Sequence, residues 1–284
     1  MTVQFNHTLG RNVRLHLGPL IHGIRHLLGA TLLLTGISAA ADDALRIMQQ
    51  VHDRPIGRDV TTLSRMELTD RSGSKRQREL VTYRMERSKG EFVSLARFLA
   101  PADIAGTGLL SVDKADGSSE QWLFLPALDR VRRVASDRKG GRFVGSELYF
   151  EDLQTRKPSS DNHRLVGKEA LDGVTCEVIE SIPTDPANSV YRKRMLWVDP
   201  QTALVHRVDY FEKDEAQPSK RWVLLSRQRI QGFWAVTDSK TTDLASGNET
   251  RMQSQTIKFD RKLPSRLFST QALSDESIEA NHRP

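Results

Sequence analysis

The chain has 284 residues, 38% apolar and 27% charged, with 18 Gly, 11 Pro and one Cys. That composition excludes a disordered or collagen-like chain, and the single Cys excludes both a disulfide framework and a multi-thiolate metal site. A formal net charge of +6 suggests a nucleic-acid binder until the charge is located. Residues 1–41 hold Arg11, Arg14 and Arg25 and no acid, so half of the excess sits there.

That segment runs from basic to apolar to small. Leu27 to Ser38 is apolar, Ala39, Ala40 and Ala41 follow, and then Asp42 and Asp43. A spanning helix needs about 20 apolar residues, and Arg25 and His26 interrupt the run upstream. The order therefore reads as a secretory signal peptide, residues 1–41, cleaved near Ala41, with an uncleaved membrane anchor as the alternative. No Cys lies near the cut to carry a lipid. The expected product is periplasmic and keeps only His52, His163, His206 and His282.

Past the cut, Ala44, Leu45, Met48 and Val51 recur at helical spacing behind two acids, which predicts an amphipathic helix from Asp42 to His52. The period then changes to two. Val81, Tyr83 and Met85 alternate with Thr82, Arg84 and Glu86, and Val174, Cys176 and Val178 repeat the pattern. Turn signals punctuate these runs: Ser72-Gly73, Lys89-Gly90, Asp116-Gly117, Asp172-Gly173, Asp199-Pro200, Gln217-Pro218, Gln231-Gly232 and Gly247-Asn248. A long antiparallel meander follows, which must curl to bury its apolar face. Trp122 and Phe124 point to one side of their strand and Leu123 and Leu125 to the other, so both sides of that strand need cover. Pro101 to Thr107 and Ser136 to Pro158 break the strand pattern and are candidate lids, and residues 271–284 read as a frayed polar tail.

No nucleophile elbow, zinc-protease helix or phosphate loop is present, and Gly106-Thr107-Gly108 lacks the third glycine of a dinucleotide fingerprint. His52, His163 and His206 lie far apart and read as unpaired surface or strand residues, so neither a catalytic site, a metal nor a cofactor is expected. Cys176, between valines on a strand, reads as a small hydrophobe. The basic clusters, including Arg132-Arg133 and Arg192-Lys193-Arg194, read as solvated faces and edge protectors rather than a nucleic-acid surface.

Three stretches are specific in combination: F-L-A-P-A-D-I-A-G-T-G-L-L-S-V-D from Phe98, Q-W-L-F-L-P-A-L-D-R-V-R-R-V from Gln121, and R-F-V-G-S-E-L-Y-F-E-D-L from Arg142. Together they resemble the LolA-like family of outer-membrane lipoprotein-sorting proteins. The resemblance implies a mainly β fold with a few helices, an incompletely closed antiparallel β-barrel with a helical plug or lid, as one domain over residues 42–270. It implies a monomeric, non-enzymatic periplasmic carrier with a hydrophobic ligand (a lipid, an acyl chain or a lipoprotein). For this branch it also implies an RND-type transporter as partner, and an adaptor that docks on a transporter without cargo is the alternative.

Strand phase and bulk nominate Tyr83, Met85, Phe98, Trp122, Phe124 and Trp197 as a concave ligand-binding face. Gly145 to Leu153 is expected to form a mobile lid helix capped by Ser146, with Glu147 in its first turn and Tyr149 and Leu153 on its apolar side. Its acids Glu151 and Asp152 are expected to latch onto Arg132 or Arg133. The export reading predicts that the periplasmic form begins at or next to Asp42, which intact-mass measurement checks. Recovery of the full-length chain from the membrane fraction would revive the anchor.

Overall fold

Every one of the eight turn signals falls between two consecutive strands of the computed structural model, which describes residues 42–135, 138–212 and 216–284. Asp172 and Gly173 both take positive φ, 49° and 78°, as do Gln231 and Gly232, 50° and 89°. Two successive left-handed residues match the strand twist and close two-residue hairpins. At the first hairpin Asp70 Oδ1 accepts from Ser72 N at 2.9 Å and Ser74 N at 3.0 Å, an Asx turn that satisfies the loop backbone locally.

Thirteen strands form a single antiparallel sheet. The first half is β1 (Asp59–Thr69), β2 (Lys75–Ser88), β3 (Glu91–Ala100), β4 (Gly108–Asp113), β5 (Ser119–Leu125) and β6 (Arg130–Arg133). The second is β7 (Asp161–Leu171), β8 (Val174–Pro183), β9 (Lys193–Val198), β10 (Val205–Phe211), β11 (Lys220–Ile230), β12 (Phe233–Asp243) and β13 (Glu249–Phe259). The spatial order is β6-β5-β4-β3-β2-β1-β13-β12-β11-β10-β9-β8-β7. The two halves are therefore separate meanders joined where the first and last strands pair, from Val60 opposite Phe259 to Thr69 opposite Glu249. Among the described residues β6 and β7 pair on one side only, so the sheet is not closed. Residues 134–160 cross from one free edge to the other.

Register assigns each side chain to a face. The row Leu68, Thr250, Thr241, Trp222, Val208, Leu196 and Ile179 runs across the sheet on one face, here the inner face. The helix at 42–52 (α1) lies on it in the second half, where Ala44, Ile47, Met48 and Val51 meet Ile179, Leu196 and Val208. The 134–160 crossover covers it in the first half, where Phe143 and Phe150 pack against Met66, Leu80, Phe98 and Leu109. Both elements are apolar on one side, and the inner face gives them an apolar surface on which to leave water.

The outer face of the first half is covered by the C-terminal segment. Leu263, Leu267, Phe268 and Leu273 bury Val81, Tyr83, Leu95, Leu110 and Phe124. Residues 271–284 are thus not a frayed tail: α2 (Thr270–Ser274) and α3 (Ser277–Ala280) dock there, with Ala272, Leu273 and Glu279 fully buried. The sequence signal was weak because both helices are about one turn long and borrow their stability from the sheet. Arg97, itself fully buried, holds the segment. Its guanidinium donates to the carbonyls of Gly106, Leu273 and Ala272 at 2.7, 2.8 and 2.9 Å and lies 3.3 Å from Glu279 Oε1.

Removing Arg97 leaves the buried carbonyls of Gly106, Ala272 and Leu273 without their donor and Glu279 with Arg283 alone, at 3.1 Å, and breaking a buried pair costs about 3–5 kcal/mol. Arg97→Met should therefore lower the urea unfolding midpoint strongly, by a free energy in that range, and loosen the C-terminal segment first. A loss indistinguishable from that of an exposed Arg130→Met variant would show that the segment does not depend on Arg97.

Candidate functional site

The crossover reaches the sheet as two 3-10 turns, Phe143–Gly145 and Glu151–Leu153, rather than as the helix expected over 145–153. Val144 and Gly145 both take positive φ, 48° and 70°, and Ser146 is extended, so helical backbone cannot propagate from the proposed cap. Ser146 Oγ instead donates to Phe143 O at 2.7 Å and accepts from Leu148 N at 3.2 Å, bracing the bend internally. The Ser-Glu spacing looked like a helix start because the same hydroxyl chemistry serves both.

The expected latch is also corrected. Arg133 pairs with Glu120 at 2.7 Å, and both Arg132 and Arg133 are exposed on the edge strand β6. Glu151 and Asp152 point to the second half of the sheet. Glu151 pairs with the buried Arg194, accepts from Ser189 Oγ at 2.6 Å and takes Val190 N at 2.7 Å. Asp152 accepts from Tyr191 Oη at 2.7 Å and lies 2.5 Å from Lys220 Nζ. The Lys220 ammonium sits against three tyrosine rings, 3.6 Å from the centroid of Tyr149 and 4.9 Å from those of Tyr191 and Tyr210. Burial pulls the Lys220 ammonium below its usual range, opposed by Asp152, and pushes the Tyr191 and Tyr210 hydroxyls up. On the first half the crossover is held by Gln121, which donates to Phe150 O at 2.9 Å, and by Asp113, which accepts from Thr155 N at 2.8 Å.

This docking leaves cavities on the inner face. One of about 320 Å³ is floored by Val205, Val208, Tyr210 and Trp222 and roofed by Leu148 and Asp152. A second, about 180 Å³, is lined by Met48 and Val51 of α1, by Arg156 of the crossover, and by His163, Arg194 and Leu196 of the sheet. The larger cavity falls at the lower end of the roughly 300–1,000 Å³ range of ligand pockets.

The structure does not gather the six nominated residues on one face. Phe98 is on the inner face, 5.4 Å from the Phe143 ring and under the crossover. Tyr83, Met85, Trp122 and Phe124 are on the outer face, packed with Leu263, Leu267 and Phe268. Trp197 is on the outer face of the second half, where Arg207 covers its ring at 4.1 Å and Glu169 accepts its indole proton at 2.8 Å. Alternation within a strand pairs Tyr83 with Met85 and Trp122 with Phe124, but it carries no sign of which face looks inward, and placing all six on one face went beyond it. Trp222, Val208 and Leu148 were missed, although Trp222 is the large apolar residue of its run.

The histidines differ from expectation too. His163 and His206 are buried and partnered. His163 Nε2 lies 2.8 Å from Pro158 O and Nδ1 2.8 Å from Ser181 Oγ, while His206 contacts Arg227 and faces Asp199 at 3.9 Å. Cys176 is buried beside Val178 and Trp197, and burial pushes its thiol up to about 11, so it acts as a hydrophobe.

An unclosed antiparallel sheet with a helix and an irregular crossover on its inner face defines the LolA-like fold, as the motifs from Phe98 to Leu153 implied. The chain belongs to the family whose model, described as that of an uncharacterized protein, matches residues 90–275. Among solved structures, a domain named for outer-membrane lipoprotein sorting from Vibrio parahaemolyticus is 27% identical, with a TM-score of 0.77 over 82% of this chain and 99% of that one. A DUF1329 family protein from Desulfovibrio piger is 28% identical, with a TM-score of 0.76 over 84% and 98%. A LolA superfamily protein from Nitrosomonas europaea, 17% identical with a TM-score of 0.62 over 82% and 99%, shares the fold. No curated protein matches the chain.

Burial lowers the proton affinity of His163, against the pull of the Pro158 carbonyl and Asp161, and burial with Arg227 lowers that of His206. The unfolded chain then binds protons, near an ordinary pKa of about 6.5, that the folded chain refuses, so stability is full above that pH and falls below it. The urea midpoint should drop between pH 7 and about pH 5, and His163→Gln should flatten that slope. A wild-type midpoint independent of pH over this interval would show that both rings titrate freely.

Proposed function

We propose that the chain is a periplasmic carrier, without covalent chemistry, that holds an acyl chain of a lipid or lipoprotein on the inner face of its half-barrel. The observation that carries this is the cavity of about 320 Å³ beside the crossover, whose floor of Val205, Val208 and Trp222 is apolar while its roof is a segment docked through side chains. Each buried methylene contributes about 0.8 kcal/mol, so an acyl chain binds there without a specific polar contact. The sorting role in the name of the Vibrio relative supports the same class of cargo. An RND-type transporter is the membrane partner that this reading calls for, with the carrier acting as a monomer. The outer-face residues Tyr83, Met85, Trp122, Phe124 and Trp197 serve packing in this reading.

Two tryptophans on opposite faces provide the test. Trp222→Asp places an unpaired charge in the cavity floor and should weaken binding of an apolar fluorophore by about tenfold or more. Trp122→Leu, on the outer face, should leave the affinity unchanged. Full affinity in a folded Trp222→Asp variant would overturn the assignment of the cavity, and absence of fluorophore binding by the wild type would favour an adaptor without cargo.

A further inference from the structure

The two free edges of the sheet do not meet, and between them lies a cleft of about 770 Å³. Its walls come from three places: the β4–β5 hairpin with Ser118 and Ser119, the crossover with Lys139, Gln154 and Ser159, and the β8–β9 connection with Asn188. Hydroxyls, amides, two cations, Arg133 and Lys139, and one carboxylate, Asp116, line it, and no aromatic ring does among the described residues. Asp116 takes the Ser118 hydroxyl at 2.7 Å and Asp113 that of Ser119 at 2.6 Å, which leaves Ser159 and Ser160 as the serines whose hydroxyls face no carboxylate among the described residues. Gln154 also lines the cavity of about 180 Å³ behind the crossover, so the two spaces share that side chain. Its Nε2 donates to Gln121 Oε1 at 3.1 Å.

The charge around the cleft has one sign in excess. Arg130, Arg132 and Arg133 lie on β6, and Arg138 and Lys139 follow in the sequence, five cations against the two acids Asp129 and Asp137 of the same stretch. Glu120 answers Arg133 and Lys114, at 2.7 and 3.4 Å. Lys139 Nζ donates to the neutral Asn188 Oδ1 at 2.7 Å, and Arg130, Arg132 and Arg138 have no carboxylate partner among the described residues. Protection of a free strand edge accounts for cations on β6. It does not account for a polar recess beside them that shares Gln154 with the inner-face cavity, where Met48, Val51, Leu196 and Val208 lie among the charges of Glu151, Arg156 and Arg194.

We propose that this seam cleft binds the phosphate of an anionic amphiphile whose acyl chain passes Gln154 into the inner-face cavity. The inference rests on the carrier reading and adds the head-group class. Phosphate oxygens accept, with charge assistance, from the Lys139 ammonium and the Arg133 guanidinium, and from the Ser159 and Ser160 hydroxyls, while Asp116 is held at the hairpin wall by Ser118. A cationic head group would be repelled by the same residues, and a neutral sugar would gain nothing from their charge and find no ring to stack on. The site belongs to the open sheet: pairing β6 with β7 would erase it.

Calorimetry of the full mature chain with decyl phosphate, decanol and inorganic phosphate at low salt tests this. Decyl phosphate should bind about tenfold more tightly than decanol, and added salt should shrink the difference. The double variant Arg133→Gln, Lys139→Gln, on exposed or half-buried positions away from the core, should lose that preference while keeping its affinity for decanol. Equal affinities for decyl phosphate and decanol in the wild type, or a preference untouched in the variant, would overturn the phosphate site and leave the carrier reading standing. Inorganic phosphate binding as tightly as decyl phosphate would overturn the amphiphile in favour of a free-anion site. Binding of neither amphiphile would overturn the carrier reading and this proposal with it.

Discussion

Two adjacent acids, Glu151 and Asp152, fix the interior of this protein. They come from an irregular segment that starts at one free edge of the sheet and ends at the other, and they enter the second half of the sheet opposite Arg194 and Lys220. A buried carboxylate without a partner costs several kcal/mol, so the segment is stable only where both cations lie within reach. Ser189, Val190 and Tyr191 supply the remaining hydrogen bonds, which makes burial of four charges tolerable. The apolar side of the same segment, Phe143 and Phe150, is seated on the first half. One strap therefore holds the two meanders in a fixed relation, and the cavities are the space it leaves.

A sheet with both faces apolar would bind indiscriminately, and this one avoids that by covering its faces with different elements. The outer face of the first half is sealed by the C-terminal segment, pinned by Arg97. The outer face of the second half carries charge ladders instead, such as Arg207 and Arg221 on Asp209 and Arg251 on Asp238. Beside these ladders the outer face keeps only a small apolar cluster around Cys176, Val178 and Trp197 among the described residues, and the inner face lies under α1 and the crossover. Cover made of a short helix and 3-10 turns is held by side chains more than by backbone ladders, and such elements sit at the low end of local stability. An interior of that kind suits a molecule that must take up and release an apolar ligand.

Leaving the sheet open has a second effect. Closure of β6 on β7 would satisfy two strand edges, yet the chain places arginines along β6 and keeps it four residues long. Short, charged edges resist strand addition. The gap between the edges is then left as a polar cleft beside the crossover.

Much of the fold was legible in the sequence because its signals are local. A two-residue period, Asp-Gly and other glycine turns, and the helical spacing of Ala44, Met48 and Val51 each depend on neighbours within a few residues, and strands, hairpins and α1 lie where those signals put them. The motifs from Phe98 to Leu153 carried the LolA-like class. What the sequence could not carry is which face of a strand looks inward, since alternation is symmetric: Tyr83 and Trp122 satisfy the pattern as well under a C-terminal segment as in a cavity. Nor could it pair Glu151 with Arg194 or Asp152 with Lys220, which lie 43 and 68 residues apart along the chain. Arg132 and Arg133 were nearer in sequence and equally basic. Only the closing of the second meander beside the first decides that the acids turn the other way, because burial beside a partner selects among cations that composition treats as equal.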